Sequence, residues 1–340
     1  MVKKVWFIAS LFLMIGLVLL CGCTGTQDSA KTTEQNGTAG DKTVLNIGYQ
    51  PSTHQMAFMT AYSKGMYNET LAPMGIKEVK AYSFPTGAPE MQAMLAGDLD
   101  FAYVGAAPFV TAVATGLDGK IVAAAQTQGS SVVLKTGLNY TSPADLKGLT
   151  IATFPAGTIQ DTILRTWLKE QGLDPDKDVK IIAMGPGDAT TAIMAGKVDA
   201  VFLPGPSPTT IVEAGAGKVI IESGEMSPNH VCCVLVASGK MIRDHPDIVA
   251  GVLKIHEKAT EYNKQNWEEA ARYMEQMTAM DASITLKSLN VWDGEWVSDP
   301  HIIFDSVANY AQDQAALGYI SKSLSGADLT DTSFWDKLNS

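Results

Sequence analysis

Arginine is scarce in this sequence: Arg165, Arg243 and Arg272 are the only three in 340 residues. Acidic residues outnumber basic ones 36 to 25, a formal charge of −11. Without Lys3 and Lys4 of the leader described below, 23 basic residues face 36 acidic ones, or −13. Such a chain is a poor partner for nucleic acid or an anionic lipid surface, both of which demand clustered positive charge. A small anionic ligand is not excluded, because backbone amides at helix starts bind one without net positive charge. Cysteine is also sparse. Cys21, Cys23, Cys232 and Cys233 are too few for a disulfide scaffold. Cys232 and Cys233 sit in an apolar run from His230 to Ala237 and read as two thiols packed in a buried strand, a disulfide between strand neighbours being strained. Neither they nor His54, His230, His245, His256 and His301 show metal-ligand spacing, so no metal is expected. A nucleophile elbow and a P-loop are absent, and with them the usual reasons to expect catalysis or a cofactor.

No apolar run reaches the roughly 20 residues that a helix needs to cross a bilayer. The longest, Val5 to Leu20, has sixteen residues, follows Lys3 and Lys4, and ends in Leu20-Cys21-Gly22-Cys23. Basic, apolar, small and cysteine in that order read as a signal peptide over 1–22. It resembles a lipoprotein signal, in which the Cys23 thiol would take the lipid and tether the chain to the outer face of the cell membrane. Residues 23–42 are rich in Thr, Gly, Gln, Ser and Asp, with no apolar residue larger than alanine beyond Cys23. They cannot offset the entropy of ordering their backbone and read as a flexible tether.

The 298 residues from Thr43 are ample for two lobes. Short alternating runs predict strands over Thr43–Tyr49, Val79–Phe84, Leu99–Tyr103 and Lys120–Gln126, with helical spacing over 56–67, 89–96 and 108–114 between them. That order is an α/β lobe around a largely parallel sheet. Val132–Leu134 reads as the strand by which the chain leaves it. A second set follows, with strands over 150–154, 179–184, 200–203 and 218–221 and helices over 158–171, 188–194 and 208–214. The expected division is 43–133 for the first part of lobe one, 134–230 for lobe two, and 231–340 for the return to lobe one with its C-terminal helices. Phe84 to Tyr103 and Met184 to Phe202 echo each other: strand end, Gly/Pro loop, helix, Ala-Gly turn, then a strand led by Asp100 or Asp199.

Several motifs in order carry a resemblance. They are Asn46-Ile-Gly-Tyr-Gln50, Phe84-Pro-Thr-Gly87 with Met91–Tyr103, Gly105-Ala-Ala-Pro108, Ser142-Pro-Ala-Asp-Leu-Lys-Gly148, Gly172-Leu-Asp-Pro-Asp176, and Met194–Val201. Over about residues 43–260 the chain resembles the nitrate/sulfonate/taurine class of ABC-transporter substrate-binding lipoproteins. The resemblance implies a periplasmic-binding-protein type II fold, two α/β lobes with a hinge and a ligand cleft. It implies an extracytoplasmic monomer that presents a small anion to a membrane permease and its ATPase, and does no chemistry itself. An aliphatic sulfonate such as taurine is the ligand first in line. Nitrate, bicarbonate and pyrimidine precursors stay open, as does a ligand-sensing module on the same fold.

Ligands of open α/β sheets bind beyond the carboxyl ends of the strands. The expected contacts are therefore Gln50, Ser52, Thr53 and His54 after the first strand, Thr86 and Gly87 after the second, and Gly105 and Ala106 after the third. Gln128, Ser130 and Ser131 follow the strand over 120–126, Thr158 and Gln160 open a helix, Gly205 and Ser207 follow Leu203, and Asn229 and His230 lie near the return crossing. At Ala106 and Ala107 only backbone N–H groups could meet a ligand.

Overall fold

The computed structural model describes residues 42–340. The signal peptide, the tether and Cys23 lie outside the described residues. Among the described residues, eleven strands build two sheets: β1 (Val44–Tyr49), β2 (Glu78–Ser83), β3 (Phe101–Gly105), β4 (Gly119–Thr127), β5 (Ser130–Lys135), β6 (Thr150–Thr153), β7 (Lys180–Ala183), β8 (Ala200–Pro204), β9 (Gly217–Glu222), β10 (Val231–Ser238) and β11 (Glu295–Trp296). The first sheet runs β11-β4-β10-β3-β1-β2 and the second β7-β6-β8-β5-β9.

The two orders repeat one plan. In each, three parallel strands (β2-β1-β3, β7-β6-β8) meet a fourth, β10 or β5, that runs antiparallel to its neighbours. The parallel strands need crossovers, which the helices Met56–Ser63 and Gly87–Leu95 supply on one side and Ile159–Glu170 and Pro186–Met194 on the other. β3 and β8 are buried along their whole length, because helices cover both faces of a parallel sheet.

The echo around Asp100 and Asp199 has a structural cause. Asp100 accepts the Asn46 N–H of β1 at 2.8 Å and holds Lys42 Nζ at 2.6 Å. Asp199 accepts the Thr150 N–H at the start of β6 at 3.0 Å and holds Lys135 Nζ at 2.8 Å. Each aspartate thus fixes the start of a central strand against its parallel neighbour.

β5 departs from expectation. The strand over Val132–Leu134, read as leading out of the first lobe, pairs with β8 and β9 and is part of the second sheet. The chain passes between sheets at Gln128-Gly129, and returns between β9 and β10. The remaining helices, among them Pro246–Gln265, Trp267–Thr278, Ala282–Val291 and Phe304–Ala316, pack largely on the first sheet. No helix among the described residues is long and apolar enough to cross a membrane.

Candidate functional site

The carboxyl ends of the strands of both sheets converge on one small cavity. Gln50, Ser52 and His54 reach it after β1, Gly87 after β2, Gly105 at the end of β3, and Thr158 and Gln160 after β6. Pro51, Pro85, Pro108, Phe154, Ile159, Pro186, Pro204, Cys232 and Cys233 complete the wall. About 20 Å³ of the cavity is open to the centre of a water molecule, which is room for about one or two waters.

Four helices begin at this wall. Gly87 opens the helix Gly87–Leu95, Gly105 caps Ala106–Ala114, Thr158 caps Ile159–Glu170, and Pro186 opens Pro186–Met194. First-turn amides have no intrahelical acceptor and carry the positive end of the helix dipole. The wall has no Lys or Arg side chain, so these amides are its main source of positive potential. Gly87 meets a packing demand: a Cβ there would lie 2.5 Å from Pro108 Cγ. Thr158 takes the Asp161 N–H as helix cap and donates its hydroxyl to the Pro155 carbonyl at 2.7 Å.

Glu90 stands behind Gln50. It is fully buried, accepts the Gln50 side-chain N–H at 2.7 Å through Oε2, and has no partner at Oε1. Burial raises its carboxyl well above the ordinary range. The sign of the linkage follows. The folded state keeps a proton that the unfolded chain gives up near pH 4.3. This stabilisation is complete below that pH and is lost as pH rises toward the native ionisation, at up to about 1.4 kcal/mol per pH unit. Glu90→Gln is expected to remove that part of the slope in urea midpoints between pH 5 and 8; identical slopes in both proteins would refute a protonated Glu90.

His54, Cys232 and Cys233 also meet at the wall, with all three fully or nearly fully buried. The cysteines are free thiols in β10, as expected. Three donor atoms that could hold an ion lie within 4.8 Å of one another, although the sequence shows no metal-ligand spacing. Spacing could not reveal them, because His54 and Cys232 are 178 residues apart. The Cys233 thiol lies below its ordinary range, chiefly through its hydrogen bond with Cys232, while burial pushes the Cys232 thiol up.

The other expected contacts lie off the cavity wall. Thr53 is buried beneath it, its N–H on the Gly205 carbonyl at 3.0 Å and its carbonyl on Trp296 Nε1 at 2.8 Å. Thr86 and Ala106 are buried at helix starts. Ser130 accepts from Gln160 Nε2 at 3.1 Å, and Ser131 donates to Glu222 at 2.5 Å. Ser207 lines a neighbouring groove with Pro186 and Ile284.

Gln128, Asn229 and His230 join the two crossings. Gln128 N–H donates to the His230 carbonyl at 3.0 Å, and Asn229 N–H to Gln128 Oε1 at 2.8 Å. Gln128 and Asn229 both adopt positive φ, 57° and 58°. The C-terminal segment braces the crossings and the cleft. Asp293 accepts the Gly129 N–H at 2.8 Å through one oxygen and the Gly224 N–H at 2.6 Å through the other. Gln314 Nε2 donates to both the Ala107 and Gly157 carbonyls at 3.0 Å, bridging the two sides of the cleft.

A family model described as the NMT1-like family matches residues 38–279. A protein of Bacillus subtilis (strain 168), named provisionally as aliphatic sulfonates-binding, is 26% identical over 336 residues, 97% of this chain and 94% of that protein. Among solved structures, the alkanesulfonate-binding protein SsuA from Xanthomonas axonopodis pv. citri, bound to MOPS, aligns with a TM-score of 0.75 and 18% identity. The match covers 86% of this chain and 99% of that one. The periplasmic nitrate-binding protein NrtA from Synechocystis PCC 6803 aligns with a TM-score of 0.76 and 16% identity over 87% of this chain and 88% of its own. These likenesses establish the expected fold, two α/β lobes of the periplasmic-binding-protein type.

Proposed function

The chain belongs to the NMT1-like family, and on that premise we propose that it is the extracytoplasmic solute-binding component of an ABC importer, capturing a small anion in its cleft. It is a binding protein and not an enzyme, as are the relative and the structural neighbours named above. The observation that carries the anion is the cavity wall, where four helix starts converge and no Lys, Arg, Asp or Glu side chain is present. Within a water-poor cleft, uncharged amides and hydroxyls can satisfy each oxygen of an oxyanion.

An aliphatic sulfonate such as taurine is the ligand we favour, supported by the sulfonate-binding assignments of the Bacillus and Xanthomonas proteins. The lobes divide at Gln128-Gly129 and between β9 and β10, and part about these two crossings to admit it, since the cavity as it stands holds about one or two waters. The monomeric domain hangs from the outer face of the membrane by acylated Cys23 and delivers its anion to a permease and ATPase.

Calorimetric titration tests this reading, with protein unfolded and refolded to strip any carried ligand. The panel is taurine, longer alkanesulfonates, nitrate, bicarbonate and a hydroxymethylpyrimidine. One sulfonate is expected to bind with a Kd of about 1 μM or tighter, near −8 kcal/mol. Thr158→Ala removes a helix cap worth about 1 kcal/mol and is expected to weaken binding several-fold. Tight nitrate or bicarbonate binding would replace the sulfonate assignment; silence across the panel from folded protein would end the anion reading.

A further inference from the structure

Cys232 and Cys233 are consecutive on β10, and on a regular strand their side chains would point to opposite faces. Here β10 shifts register against β4 between Val231 and Cys233, and again between Cys233 and Val234. A bulge of this kind re-aims a side chain, and the two Sγ atoms come to lie 3.9 Å apart. His54 meets them from the turn after β1. Its Nδ1 is 3.2 Å from Cys232 Sγ and 4.0 Å from Cys233 Sγ. Its Nε2 is 2.8 Å from the Gly129 carbonyl oxygen, which can only accept. The ring proton therefore sits on Nε2, and the Nδ1 lone pair faces the two thiols.

These separations match the ligand set of a metal ion. Bonds of about 2.3 Å to sulfur and 2.0 Å to nitrogen at tetrahedral angles place two sulfurs about 3.8 Å apart and nitrogen about 3.5 Å from each. A carbonyl on the remote imidazole nitrogen is the usual outer support of a histidine ligand. Two amide donors point at the sulfurs, Gln55 Nε2 at 3.6 Å from Cys233 and Gln160 Nε2 at 4.0 Å from Cys232. They would steady the thiolate charge. Simple core packing of two thiols requires neither the free lone pair nor the amides.

We propose that His54, Cys232 and Cys233 bind one zinc ion at the wall of the cleft, with its fourth position open to the cavity that all three residues line. Two thiolates and an imidazole suit a thiophilic ion, whereas magnesium and calcium require oxygen donors. Binding exchanges each Sγ–H bond for an Sγ–metal bond and releases two protons to solvent. The proposal does not rest on the anion reading.

The test is titration of the full chain, reduced and anaerobic, with cobalt(II) as the spectroscopic probe and zinc(II) as competitor. One equivalent of cobalt is expected to raise a thiolate-to-metal charge-transfer band with the visible bands of a four-coordinate site. About two protons per ion should be released, and zinc should bleach the spectrum. Cys232→Ala and Cys233→Ala are each expected to cut the charge-transfer intensity and weaken zinc binding at least tenfold, with an unchanged far-ultraviolet circular dichroism spectrum. Wild-type protein with both thiols reduced but no stoichiometric charge-transfer band would overturn the proposal. So would a band that persists at full strength in the two variants. Should a variant fail to fold, the wild-type band and proton count decide alone.

Discussion

Acidification from pH 7 to pH 4 is expected to remove several kcal/mol of folding stability through two buried histidines, His256 and His230. His256 lies in the helix Pro246–Gln265, fully buried, with Nε2 2.7 Å from the Ala124 carbonyl oxygen and Nδ1 3.2 Å from the Tyr103 hydroxyl. The carbonyl fixes the proton on Nε2, so Nδ1 accepts from Tyr103 and the neutral ring has both nitrogens satisfied. His230 has Nδ1 2.9 Å from the Tyr310 hydroxyl, which itself donates to the Val231 carbonyl. Nδ1 therefore carries the proton, and the buried Nε2 has no partner. A second proton on either ring would place a cation where water cannot reach it. Burial accordingly lowers both rings to about 4.

The unfolded chain takes these protons near pH 6.5, and the native state refuses them until about pH 4. Between those values the unfolded state binds more protons, so stability falls as pH falls. Each histidine thus contributes about 3 kcal/mol that is complete above pH 6.5 and lost by pH 4. This trend runs opposite to that of Glu90, so the comparison must be made between proteins. Urea midpoints of wild type and His256→Gln from pH 7 to pH 4 are the measurement. The variant is expected to start less stable, for want of one hydrogen-bond partner, and to lose about 3 kcal/mol less on acidification. Parallel curves would mean that His256 is already charged in the native state or reaches solvent.

Much of the fold is legible in the sequence because its signals are local. Alternation in Val44–Tyr49, the apolar run of β10 and the repeated Ala-Gly-x-apolar-Asp each report a backbone conformation within a few residues. What β5 pairs with is not local: its apolar residues suit either sheet, and only the position of the crossing decides. The cavity shows the same division. Loops at strand ends bring Gln50, Ser52, His54, Gly87, Gly105, Thr158 and Gln160 to its wall, and strand order suffices to anticipate that. Cys232 and Cys233 reach it through a register shift against β4, which no residue pattern in β10 announces. Gln128 and Asn229 take positive φ without being glycine, so the residue types do not announce the turns they form. Asp293 and Gln314 act across more than 150 residues of sequence, beyond any motif.

Gly129→Ala is expected to be the most damaging single methyl group at the crossing. Gly129 has φ +81°, and a Cβ on it would lie 2.4 Å from Gln126 Nε2, 2.9 Å from His54 Nε2 and 2.9 Å from Trp292 Cε3. None of these three can yield cheaply. Gln126 Nε2 donates to the Thr127 and Gln128 carbonyls, His54 Nε2 to the Gly129 carbonyl, and Trp292 packs edge-on against Trp296. The left-handed conformation costs a residue with a Cβ about 1–2 kcal/mol, and overpacking adds about 1–3 kcal/mol. The sum is a loss of roughly 2–5 kcal/mol, read as a lower urea midpoint. Gly148 provides the control, because it has φ +77° and a Cβ there would meet nothing within 4 Å. Gly148→Ala should therefore show the conformational cost alone, about 1–2 kcal/mol. The difference between the two variants isolates the packing of the crossing against His54 and Trp292. If both lose the same stability, the crossing has room that this geometry denies, and His54 is not held in place by it.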